Sequence, residues 1–223
     1  MTLSTAEAAD VARHQAQLTE LMLIAEQILA ETPEAELCPR QAELLARLDT
    51  VFAGQSCPPE LSLLSGGLAE DDYRSPAAIR YIDATDDTPR DDWRALTPPL
   101  LRACEDALVY LEPPAFCYVL PAYLRQYLLR PDFMCTDSIF ACMSHSTWNS
   151  RDKLAPLTPE QCSVVEDIMN EYRWHCQQRD GECCDDLLPW EYDLYLQQEG
   201  DISAWTFAGN FALDYAMRTG IVN

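Results

Sequence analysis

Glycine is scarce, lysine is nearly absent, and no familiar catalytic signature is present. Seven glycines in 223 residues leave little chain for tight ligand-cradling loops. There is no G-x-x-x-x-G-K-[ST] loop to wrap a phosphate, no G-x-S-x-G nucleophile elbow and no H-E-x-x-H metal helix. These absences count against an enzyme. Long apolar runs are missing too. The stretch Leu21–Leu29 is interrupted by Glu26 and falls short of the roughly 20 apolar residues that cross a bilayer. Met1 to Asp10 lacks the basic segment of a secretory leader, so the expectation is a cytoplasmic protein. In that compartment the ten cysteines remain reduced thiols rather than a disulfide framework.

What is abundant is negative charge. Thirty-seven acids face fifteen bases, a net charge of -22, while 48% hydrophobic residues keep the chain in the globular range. Fourteen of the bases are arginine and only Lys153 is lysine, which reads as genome composition bias. Such a charge repels nucleic acid and anionic membrane and speeds encounter with basic proteins. The plainer reading is a solubilising surface.

The order of start and stop signals predicts an all-α chain. Ser4-Thr5-Ala6-Glu7 has the capping-box pattern, and Val11, His14, Leu18, Leu21, Ala25 and Ile28 follow on one helical face. A second helix is expected from Pro39 to Phe52, stopped by Gly54. Gly66-Gly67 opens an acidic, turn-rich stretch in which Ser75-Pro76 starts a short helix through Ile82 and Asp83–Asp92 reads as loop. Thr97-Pro98 begins a helix striped by Leu100, Leu101, Cys104, Ala107, Leu108 and Leu111. In the next segment Pro121 predicts a break, with a new helix starting there. Further helices are expected near Ser138–His145, from Thr158-Pro159-Glu160-Gln161, from Pro189-Trp190 and over Ala204–Arg218. The sum is an irregular multi-helix bundle with a proline-broken central helix and an acidic loop region. It forms a single domain: an N-terminal helical pair (1–66), an acidic segment (67–92) and a main helical body (93–223).

Few residues point to chemistry. His175, Cys176, Cys183 and Cys184 carry the donor atoms of a zinc site, but their spacing is not that of paired C-x-x-C ligands. Cys176 also falls on the apolar face of its helix, where a thiol is a small core residue. Cys142 and His145 stand three apart with no third orienting group, which suits a helix-edge contact better than a nucleophile. His14 sits in an apolar seam and reads as a hydrogen-bonded core histidine. No cofactor and no metal are expected.

The acids are clustered. One group comprises Asp71, Asp72, Asp83, Asp86, Asp87, Asp91 and Asp92. The other comprises Glu182, Asp185, Asp186, Glu191 and Asp193 with the aromatics Trp190 and Tyr192, in a region without lysine or arginine between Arg179 and Arg218. Acidic rims around aromatic anchors suit a binder of basic proteins, because charge steers encounter and buried aromatics hold it. Solvated helix faces with core aromatics between them are the plainer account.

The order Asp92-Trp93-x-x-Leu96, Leu111-Glu112-Pro113-Pro114-Ala115-Phe116, Leu120-Pro121-Ala122-Tyr123-Leu124 and Leu157-Thr158-Pro159-Glu160-Gln161 resembles a group of bacterial helical proteins of unknown function. That group is marked by a YLPAYL block and an LTPEQ helix start. The resemblance spans roughly residues 92 to 170, implies a helical fold and carries no catalytic residue. In size, acidity and helical build the chain is also similar to immunity proteins that neutralise secreted bacterial toxins. The resulting expectation is a cytoplasmic, non-enzymatic inhibitor whose acidic surface masks a basic partner, a nuclease effector above all. A Cys/His metal or thiol enzyme is the alternative, and an adaptor or chaperone for secreted cargo is a third.

Overall fold

A computed structural model of the chain describes residues 3–57, 62–64, 76–86, 88–105, 108, 110–131, 133, 139 and 153–180, with side chains left aside from 173 onward. The helices expected over Ser138–His145, from Pro189 and over Ala204–Arg218 lie outside the described residues. The described residues form six α-helices and contain no strand. In chain order these are α1 (Thr5–Glu31), α2 (Pro39–Val51), α3 (Pro76–Thr85), α4 (Pro98–Ala103), α5 (Pro113–Leu129) and α6 (Pro159–Asp180). A 3-10 turn, Trp93–Ala95, precedes α4. The all-α architecture is the one the helix signals predict.

Local chemistry sets most of the boundaries. At α1 the Glu7 amide donates to Ser4 Oγ (3.3 Å) while the Ser4 amide donates to the Glu7 carboxylate (2.7 Å), satisfying two otherwise orphaned groups. Thr158 and Gln161 do the same for α6, at 3.3 and 2.9 Å. Pro39 stands at the start of α2, where its missing N–H costs nothing. Beyond the end of α2, Gly54 takes φ 74°, a left-handed conformation that a Cβ would strain.

Three boundaries differ from the expectation. α3 continues past Ile82 to Thr85, so Asp83 is helical rather than in a loop; the Thr85 hydroxyl donates to the Tyr81 carbonyl (2.8 Å) and the Asp86 amide to that of Ile82 (2.7 Å). α4 ends at Ala103, yet Leu108 and Leu111 from the predicted stripe are still buried. Helical spacing there marked burial that extends beyond the end of the α-helix. The break expected at Pro121 is absent: α5 runs unbroken through it. A proline inside a helix costs about 3 kcal/mol, and α5 offsets this by burying 14 of its 17 residues.

α5 is the centre of the molecule. It packs against α2, α4 and the 3-10 turn, while α2 also meets α6, and α1 lies across α4 and α3. Trp93, Tyr118, Tyr123, Phe116, Phe133 and Phe52 are the largest fully buried side chains. The polar end of each amphipathic aromatic finds an acceptor. Trp93 Nε1 donates to the Phe52 carbonyl (2.9 Å), Tyr123 to that of Leu101 (2.8 Å) and Tyr118 to that of Pro89 (2.7 Å). Ala25 of α1 and Leu44 and Leu48 of α2 enter this same core, so the N-terminal pair shares it with the main body. A smaller cluster of Val11, Ala78 and Ile82 joins α1 to α3.

On α1 the buried line departs from the predicted one at a single position. Val11, His14, Leu18, Ala25 and Ile28 face inward as predicted, joined by Met22 and Leu29, while Leu21 is 39% exposed. A straight helix keeps about 3.6 residues per turn, so three turns after Val11 the seam falls nearer Met22 than Leu21. His14 is buried with Nε2 3.0 Å from the Leu64 carbonyl, the core histidine that the sequence implied.

Candidate partner-binding surface

Four residues of the first acidic group, Asp83, Asp86, Asp91 and Asp92, lie within the described chain. Asp71, Asp72, Asp87, Glu182, Asp185, Asp186, Trp190, Glu191, Tyr192 and Asp193 lie outside it, as do Cys183, Cys184, Cys142 and His145. His175 and Cys176 fall on the last turns of α6, where only the backbone is described. Among the described residues no group of three or more His, Cys, Asp or Glu is placed to hold a metal ion. No helix among them is long and apolar enough to cross a membrane.

The four aspartates have different occupations. The Asp86 carboxylate is wholly buried at the end of α3. It accepts from the Ser62 hydroxyl at close range, from the Thr88 amide (2.9 Å) and hydroxyl (2.9 Å), and pairs with Arg90 at 3.7 Å. A buried carboxylate with this many donors fastens chain segments together and is not presented to a partner. Asp83 is half-buried, and its carbonyl accepts from Arg90 (3.3 Å). Asp92 caps the 3-10 turn through the Arg94 amide (3.0 Å) and pairs with that guanidinium (3.3 Å), its carboxylate still exposed. Asp91 faces solvent. The segment is therefore a strap rather than a free loop. The Cys57 amide bonds to the Arg90 carbonyl (2.8 Å), Tyr118 holds Pro89, and Trp93 plugs the core.

The bases show a wider pattern. Arg47 pairs with Asp167 at 2.6 Å and reaches Ser163, with Arg40 at 3.3 Å from the same carboxylate; together they tie α2 to α6. Arg94 and Arg125 share Asp49, and Arg94 also stacks on Trp93, 4.5 Å from the ring centre. Arg130 joins Glu34 (2.7 Å), Arg13 joins Asp10 (2.6 Å), and Arg102 donates to the Phe133 carbonyl. Most arginines among the described residues thus serve as fasteners, whereas Arg80 is exposed and pairs with none of them. Glu20, Glu26, Glu31, Glu36, Glu43, Glu112 and Glu160 are exposed and make no ion pair among the described residues. Among the described residues the excess acid of the composition becomes an excess at the surface.

Lys153 is the residue whose role the composition concealed. It is 6% exposed, donates to the Leu108 carbonyl (2.8 Å) and lies over the Phe116 ring at 5.3 Å. Its own carbonyl accepts from the Cys117 thiol (3.0 Å). A lone lysine among fourteen arginines was the available signal: a compact ammonium on a flexible stem fits a buried slot that a planar guanidinium does not. Burial pushes the Cys117 thiol up to about 12, with Cys162 adding to the effect, and pushes Cys104 to about 12 with help from Asp86. Neutral thiols of this kind are poor nucleophiles.

Large apolar side chains also remain uncovered. Leu21 (39%), Leu23 (55%) and Ile24 (46%) project from the middle of α1.

Compared with known proteins, the chain matches a family of unknown function (DUF6714) over residues 40–190, more than half its length and inclusive of the stretch that suggested kinship. No curated protein and no solved structure matches.

Proposed function

The chain belongs to this family of unknown function, and we propose that it is a binding protein that masks a basic protein partner, acting as the immunity partner of a secreted bacterial toxin. One observation carries the reading. Among the described residues most arginines, Arg80 excepted, are tied to carboxylates or carbonyls of the fold, while Glu20, Glu26, Glu31, Glu36, Glu43, Glu112 and Glu160 stay exposed without an ion pair, so acid is in excess on the described surface. A field of one sign speeds encounter with a surface of the other and rejects polyanions. A nuclease effector fits because its working face must be positive to hold phosphate. Asp91, Asp92 and the second acidic group with Trp190 and Tyr192 supply the contacts in this reading; Asp86 does not.

The test is co-expression with the product of the adjacent gene. A stoichiometric complex, association slowed by added salt, and loss of the effector's activity in the complex are expected. An effector that stays active within the complex makes the chain an adaptor and overturns inhibition. Absence of any complex overturns the reading itself.

A further inference from the structure

The outer face of α1 combines two features that a merely solvated helix does not need together. Leu21, Leu23 and Ile24 leave 39%, 55% and 46% of their surface in water. Around them stand exposed Glu20, Glu26 and Glu31, none paired with a base among the described residues. Leu23 has Glu20 three residues before it and Glu26 three after, and Ile24 follows Glu20 by four, so acids flank both side chains on the helix surface. Between Arg13 and Arg40 the chain carries no lysine or arginine.

From this we infer that α1 is a docking face for an amphipathic basic helix, one whose apolar ridge packs on Leu21, Leu23 and Ile24 and whose lysines or arginines meet the flanking glutamates. The occupant follows from charge. A second copy would bring acids against acids across the same contact, and an anionic lipid surface is repelled in the same way. Apolar side chains three residues apart, with a third on the adjacent ridge, offer the groove into which a helix, rather than a flat surface, fits. The inference rests on the basic-partner reading and deepens it by naming the face and the partner's form. It adds to the acids already named a contact within residues 5–31, ahead of the family-matched range that starts at residue 40.

The probe is a fluorescein-labelled synthetic peptide of leucine and arginine, about 18 residues long so that it spans five turns, with leucines on one face. A scrambled peptide of identical composition is the comparator. Fluorescence anisotropy should show saturable binding of the first, with the scrambled peptide and the double variant L23Q/I24Q each weaker by about tenfold or more. Amide exchange should slow in residues 20–31 on binding, and circular dichroism should confirm that the variant keeps its helices. Equal binding of both peptides means charge alone is read and overturns the inference. Full affinity in L23Q/I24Q places the contact elsewhere, which also overturns it. A dimer in sedimentation velocity that L23Q/I24Q disperses makes a second copy the occupant, with the same consequence. None of these three results touches the basic-partner reading, which stands or falls on the effector complex.

Discussion

α5 and α1 are helices of one chain built to opposite specifications. α5 buries 14 of 17 residues and tolerates a proline in its middle; α1 is 27 residues long and buries only Val11, His14 and Ala25. α5 has neighbours around its circumference, so packing carries it whatever its internal hydrogen bonding. α1 has one inward seam, a capping box and an acidic exterior. The lesson is a division of labour. Most of the largest buried side chains lie on α5 and around it, with Phe52, Leu44 and Leu48 joining them from α2, while α1 enters the fold along one seam.

The largest effect that can break this contrast belongs to α5. Phe116 is 1% exposed and lies under the Lys153 ammonium. Phe116→Ala should cost about 3–5 kcal/mol in urea unfolding, the usual range for a buried aromatic truncated in a core. A loss below about 1 kcal/mol would mean that the region around α5 collapses freely and is not the packed centre.

Next comes the strap. Asp86→Ala leaves Ser62, Thr88 and Arg90 without their shared acceptor. The expected cost is about 1–3 kcal/mol, the range for taking a buried acceptor away from several donors. Asp91→Ala, five residues on in the same acidic run but exposed to water, should change stability by less than about 0.5 kcal/mol. Equal effects from the two would show that the strap does not discriminate between its acids.

Nothing in the sequence separates Asp86 from Asp91, and the reason is physical. Both are aspartates in a polar run, and only the tertiary approach of Ser62 and Arg90 gives one of them partners. The legible features are those decided within a few residues: the Ser4–Glu7 and Thr158–Gln161 boxes, proline at the start of α2 and the stop at Gly54. Pro121 misled because its local cost is fixed while the compensation comes from contacts distant in sequence. Lys153 misled because its burial depends on the carbonyl of Leu108, 45 residues earlier. For the surface, the sequence revealed how much acid there is but not which acids are consumed by arginines.

A third effect appears only in alkali. Cys104 and Cys117 are raised from the ordinary 9.0 to about 12, chiefly by burial, and burial moves Tyr118 upward as well. The folded state therefore holds these thiols neutral at pH values where the unfolded chain ionises them. Their contribution to stability is complete below about pH 9 and is lost as pH rises toward about 12. Stability measured by urea titration should fall across that window, with a shallower slope in Cys117→Ala. Iodoacetamide at neutral pH should label the exposed Cys38 and spare Cys104 and Cys117 until denaturant is added. Rapid native labelling of Cys117 would show that the α5 environment is open to solvent.

The smallest effect is the one that most sharpens the contrast. Leu23 is a large aliphatic residue in mid-helix, and by residue type alone its replacement should be costly. At 55% exposure, however, it has little apolar area left to lose from the folded state. Leucine and glutamine also differ little in helix propensity. Leu23→Gln should therefore shift stability by no more than about 0.5 kcal/mol, against the several lost at Phe116. A loss above about 2 kcal/mol would mean that Leu23 is covered in the free protein. α1 would then be a structural helix like α5, and its outer face would not be available to an amphipathic partner. A negligible loss of stability, together with weakened peptide binding, separates the two roles: leucines of one chemical type hold the fold in α5 and remain for recognition in α1.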